Sequence, residues 1–111
     1  MHVIEVRDAD LIEDITRQAA QLGITDAAIV SLIGAADSFT VSTMAAGDAM
    51  KDIPTKCGQP AEMTGSGEIV DGKPHIHAVM AVEGAQAVAG HLHSACIGTW
   101  FARAYVLPVT R

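Results

Sequence analysis

Apolar side chains are spaced along this chain so as to predict one helix set among a succession of strands. Residues 2–6 (His-Val-Ile-Glu-Val) read as a short first strand. Asp10-Leu-Ile-Glu13 follows with the spacing of a capping box, Asp10 as helix N-cap and Glu13 at the third helical position. Leu11, Ile15, Ala19 and Leu22 then recur every three to four residues, which lays one apolar stripe of a helix on a sheet. Gly23 ends that helix as its C-terminal cap.

From Ile24 onward the helical period is gone. Residues 27–36 form a nearly continuous apolar run, expected to be a strand buried on both faces. Asp37-Ser38 is a turn, and residues 39–44 alternate as the antiparallel partner. Residues 46–60 mix charged side chains with Gly47, Pro54, Gly58 and Pro60, and read as a long loop, a candidate lid. Strand patterns resume over 61–70, 74–82, 86–93 and roughly 97–109, with Asp71-Gly72 as a tight turn. The expected fold class is therefore α/β (α+β), a mostly antiparallel sheet with one main packed helix, in a single domain over residues 1–111.

The run from Pro74 to Val82 alternates in a way that carries chemistry. Strand side chains point to opposite faces with a period of two, so His75 and His77 share a face with Val79 and Ala81. Ile76, Ala78, Met80 and Val82 take the other. In the next strand His91 and His93 lie together, with Leu92 opposite. Whether the two pairs meet depends on the turn between them. A three-residue loop, Glu83-Gly84-Ala85, sets Val82 against Gln86, His77 against His91 and His75 against His93, and gathers all four imidazoles on one face. A two-residue loop slips the parity and sends the pairs apart.

On the first register, opposed Cβ atoms lie about 5 Å apart. Imidazoles so placed can share a divalent ion at Zn–N distances of roughly 2.0–2.1 Å. Three neutral nitrogens and a water make an open site, in which the ion lowers the pKa of the water. A lone histidine on a strand is usually an ordinary hydrogen-bonded residue. Four of the five histidines within nineteen residues, in two same-face pairs, are a different pattern.

Composition narrows the classes. Half of the residues are apolar and few are aromatic, so the core is built from Ala, Val, Ile, Leu and Met. So large an apolar fraction on so small a domain also predicts an oligomer interface. The formal charge of −6, with seven scattered basic residues, makes nucleic-acid binding by this chain alone an unfavoured reading. Cys57 and Cys96 form no C-x-x-C pair; free thiols are the preferred reading over a disulfide. The N-terminus is unlike a secretory signal and no stretch suits a membrane span, so the expected setting is cytoplasmic. The Gly65-Ser-Gly67 element lacks a following helix and does not qualify as a phosphate loop.

The run Gly65-Ser-Gly-Glu-Ile-Val-Asp-Gly-Lys-Pro-His-Ile-His77, followed by Gly90-His-Leu92, resembles the plant-and-prokaryote conserved (PPC) domain. The earlier stretch from Gly23 to Gly34 does so too, and the likeness extends in order over nearly the whole chain. The resemblance implies a stand-alone PPC-like domain assembled as a homotrimer, with His75, His77 and His91 as ligands of a metal, zinc or iron, with zinc preferred. In plant members a separate basic AT-hook segment contacts DNA, and no such segment occurs in this sequence. Members commonly carry a Thr-x-Glu in the last strand, where this chain has Thr99-Trp-Phe101. His93 is an addition to the usual Gly-His-Leu, a candidate fourth ligand or proton shuttle.

Two functions follow. One is a non-enzymatic trimeric module that binds a small molecule or regulates, its metal structural. The other is a small metal-dependent enzyme with an open coordination position, His93 or Glu62 as general acid/base, and Lys56 or Arg103 holding an anionic substrate.

Overall fold

The computed structural model describes residues 1–111 as one long sheet with a single helix on one face. The chain runs β1 (His2–Val6), β2 (Ala9–Asp10), α1 (Leu11–Gln21), β3 (Ala27–Ala36), β4 (Ser38–Ala45), β5 (Asp48–Cys57), β6 (Ala61–Val70), β7 (Lys73–Val82), β8 (Gln86–Ile97) and β9 (Ala102–Pro108). The spatial order is β1-β9-β3-β6-β7-β8-β4-β5, with β2 beside β8, and the pairings are antiparallel. The mostly antiparallel sheet with one packed helix is as the sequence predicted; with strands over 67% of the chain, the fold is sheet-dominated and the α/β label does not describe it. The molecule measures 37 × 35 × 18 Å, two layers thick, which leaves the second sheet face open.

The helix begins as its sequence requires. Asp10 holds an extended conformation and one carboxylate oxygen accepts the Glu13 N–H at 3.0 Å. Its other oxygen accepts the Ala95 N–H at 3.0 Å, so one side chain both caps α1 and ties it to β8. Leu11, Ile15 and Ala19 are buried against the sheet. Leu22, expected to extend the stripe, is instead about half exposed at 48%. The helix ends there: Gly23 turns left-handed (φ 71°), and Ile24 is buried beyond it.

Two readings of the strands change. In β3, Val30 and Ile33 are exposed, so the apolar run is buried on one face of the chain rather than on both. A bulge over Val30 and Ser31, in the register against both β6 and β9, shifts the alternation there. Residues 48–57 are not a loop but the edge strand β5, paired with β4. An edge position explains the misleading signals. Pro54 can lack its N–H on an edge, and Lys51, Asp52 and Lys56 discourage further pairing.

The β7–β8 turn is the three-residue loop 83–85, with Val82 opposite Gln86 and His77 opposite His91. Ala85 holds a left-handed conformation (φ 58°). That conformation costs an L-residue about 1–2 kcal/mol. Replacing Ala85 with glycine should therefore raise stability by about 0.5–1 kcal/mol after the greater entropy of the unfolded chain is counted. A lowered unfolding midpoint would contradict this turn geometry.

Candidate metal centre and adjoining cavity

The β7 alternation separates packing from chemistry. Ile76, Ala78 and Met80 are buried under the helix, while His75, His77 and Val79 stand on the open face. Gly67 lies opposite Ile76 and Gly90 opposite Ala78. A Cβ at Gly67 would collide with the His75 carbonyl oxygen, and one at Gly90 with that of Ser42. Backbones thus approach closely around the histidine strands, which holds those strands in place.

All four imidazoles lie on the open face. The ring centroids of His75 and His77 are 5.0 Å apart, those of His75 and His91 4.9 Å, and those of His77 and His91 6.0 Å. One nitrogen from each of these three rings lies within 4.8 Å of the others. A tetrahedral ion bonded at 2.0–2.1 Å spaces its donors roughly 3.3 Å apart, so modest ring rotations bring this set into range. Three neutral nitrogen donors on an accessible face suit a borderline ion of the zinc type.

His93 stands outside that trio. The β7–β8 ladder ends at His77–His91, and the expected pairing of His75 with His93 does not form. The register between β4 and β8 shifts here, Thr40 facing Ser94 and Val41 facing Leu92, so His93 is the extra residue of a bulge. Its ring centroid lies 4.7 Å from that of His91. Its Nε2 is 2.8 Å from Ser42 Oγ and 3.7 Å from an Asp52 carboxylate oxygen. Ser42, only 4% exposed, is the one buried polar residue of the chain.

Burial of the His91 ring, followed by the neighbouring His93, His75 and His77, holds its pKa below the ordinary imidazole value, with Asp52 opposing. His91 is thus favoured in the neutral form that a metal requires.

A cavity of about 650 Å³ opens beside His77 and His91. Its polar lining comes from Ser42, Thr43, Thr64, Ser66 and Asp52, with no lysine or arginine. Asp52 was not singled out from the sequence, because β5 reaches the site only through its pairing with β4. Glu62 lies elsewhere. It pairs with Ala81, four residues along β7 from His77, and lines a different cavity with Arg103. Arg103 donates to Glu5 at 2.9 Å, and Lys56 is an exposed residue of β5 opposite Thr40. Neither basic side chain lines the cavity beside the histidines. Cys57 and Cys96 are free thiols.

A curved antiparallel sheet with one helix and a histidine trio on its open face defines a small β-rich domain with a candidate metal centre. The chain belongs to the Plants and Prokaryotes Conserved (PCC) domain family, whose model matches residues 1–108. No curated protein matches it. Among solved structures, a metal-containing protein from Archaeoglobus fulgidus is similar at 27% identity and TM-score 0.80, covering 98% of this chain and 79% of that one. A plant- and prokaryote-conserved protein from Pyrococcus horikoshii has the same fold at 17% identity and TM-score 0.84, covering 99% and 79%. A Ralstonia eutropha protein with a provisional DNA-binding name does so at 23% identity and TM-score 0.78, covering 98% and 78%. No helix is long and apolar enough to cross a membrane.

Proposed function

We propose that this chain is a metal-binding module in which His75, His77 and His91 hold one divalent ion, zinc by donor preference, at the edge of a ligand cavity. The observation that carries the reading is the convergence of three imidazole nitrogens within 4.8 Å on an exposed face. The metal-containing name of the Archaeoglobus relative adds support. Three protein donors leave a coordination position for a ligand, and the 650 Å³ cavity is of the size that small molecules occupy. The module is proposed to work as a homotrimer. Val3, Val30 and Leu107, on neighbouring strands at the β1–β9–β3 end, expose apolar surface that self-association would cover.

A second reading, metal-dependent catalysis, rests on the Ser42–His93 contact and the Asp52 carboxylate beside the cavity. A divalent ion, if held by His75, His77 and His91, would supply Lewis acidity at the edge of the cavity. His93 Nε2 can exchange a proton with a bound molecule, with Ser42 Oγ orienting that ring at 2.8 Å and an Asp52 carboxylate oxygen 3.7 Å away. DNA binding is not part of either reading, since the acidic charge opposes phosphate contact.

Metal analysis of the purified protein beside His77→Ala tests the site. About one ion per chain is expected in the parent, with at least tenfold weaker retention in the variant. Unchanged metal content on losing His77 would remove the site. Sedimentation of the same samples should give three chains per particle, and a monomer at micromolar concentration would remove the assembly.

A further inference from the structure

The strand register builds the walls of the cavity beside His77 and His91 in two rows. Ser66, His77, His91 and Ser42 face one another in turn across β6, β7, β8 and β4. The next row is Thr64, Val79 and Ala89, and Asp52 closes that side from β5, where it pairs with Met44. Hydroxyl groups therefore stand on either side of the two imidazoles, and the floor between them is small and apolar. Ser42 is only 4% exposed yet lines the cavity, with its Oγ fixed 2.8 Å from His93 Nε2. The whole arrangement lies on β4 to β8, away from the apolar end at β1, β9 and β3.

These walls discriminate by charge. A carboxylate or phosphate finds no lysine or arginine here, and Asp52, which forms no ion pair with either, repels it. A cation is drawn to Asp52 but opposed by the divalent ion of the function proposed above. A neutral molecule with several hydroxyls meets neither conflict. Each of its hydroxyls donates and accepts, so it can donate to Asp52 and exchange hydrogen bonds with Thr64 and Ser66. Val79 and Ala89 offer its carbon skeleton an apolar surface.

We propose that this cavity binds a neutral polyhydroxy compound of monosaccharide size, with its skeleton over Val79 and Ala89 and its hydroxyls shared among Asp52, Thr64 and Ser66. The inference rests on the metal-binding reading, since a ligand hydroxyl would take the coordination position that three histidines leave free.

The zinc-loaded full-length protein is screened by saturation-transfer NMR against neutral pentoses and hexoses, and bound sugars are titrated. Each is run beside a uronate, an amino sugar and cyclohexanol, which change the charge or remove all but one hydroxyl. Saturable binding of at least one neutral sugar is expected, about tenfold tighter than that of any of the three controls. Asp52→Asn should keep its zinc and weaken that sugar about tenfold, because a hydrogen bond to a charged acceptor is lost. Binding of no neutral sugar would overturn the proposal, as would a control that binds as tightly, or full sugar affinity in Asp52→Asn. Loss of zinc from Asp52→Asn would make Asp52 a metal ligand and overturn it equally. Metal analysis of His77→Ala separates the two levels. Zinc lost from that variant, with no sugar bound by the parent, defeats this inference alone; zinc retained there defeats the metal centre and this inference with it.

Discussion

Lowering the pH from 7.5 to 5.5 should weaken metal binding by about two to three orders of magnitude. An imidazole ligand must be neutral, and the reference imidazole pKa is about 6.5, so each ligand that has to lose a proton adds up to tenfold per pH unit below its pKa. His91 stays neutral further into acid than an ordinary imidazole, because partial burial of its ring disfavours the charged form. A metal titration at several pH values gives the profile. Affinity independent of pH over this range would mean that the ion is not held by imidazoles.

The metal-free protein should show a smaller effect of the same sign. The folded-state pKa of His91 lies below the ordinary value, so the unfolded chain takes up that proton first as the solution is acidified. Its contribution to stability is complete above about pH 6.5. The contribution is lost as the pH falls through the ordinary imidazole value toward the lower folded one.

Ile76→Ala should destabilise the fold by about 2–5 kcal/mol, while His75→Ala and His77→Ala should change it by no more than about 0.5 kcal/mol without metal. The three residues are consecutive, but Ile76 is fully buried beneath the sheet and its neighbours stand on the open face. Truncating Ile76 removes three carbons from packed surroundings, and the strand opposite offers only Gly67. A domain of this size has about 5–15 kcal/mol to lose, so the urea midpoint should fall markedly. Equal losses at all three positions would contradict the separation of faces.

That alternation is why the histidine hairpin could be read from sequence. A period of two fixes which residues share a face, and the three-residue loop fixes which residues oppose each other. The helix was equally readable, since Asp10 and Gly23 mark its ends chemically. The environment of His93 was not. It depends on a bulge in β8 and on Ser42 and Asp52, which reach it through pairings of β4 and β5 whose register shifts at Thr40/Val41 and Met44/Ala45. Nothing local encodes such shifts. β5 was hidden for a related reason, because an edge strand tolerates the proline and charges that otherwise signal a loop.

The division of labour along β7 also bears on how such a domain diversifies. Residues 76, 78 and 80 specify folding, whereas 75, 77 and 79 do not contribute to the packed interior. Mutations in the second set, and at Thr64, Ser66 and Ala89 beside it, can accumulate at little thermodynamic penalty. A lineage can therefore change what its open face recognises while its architecture persists.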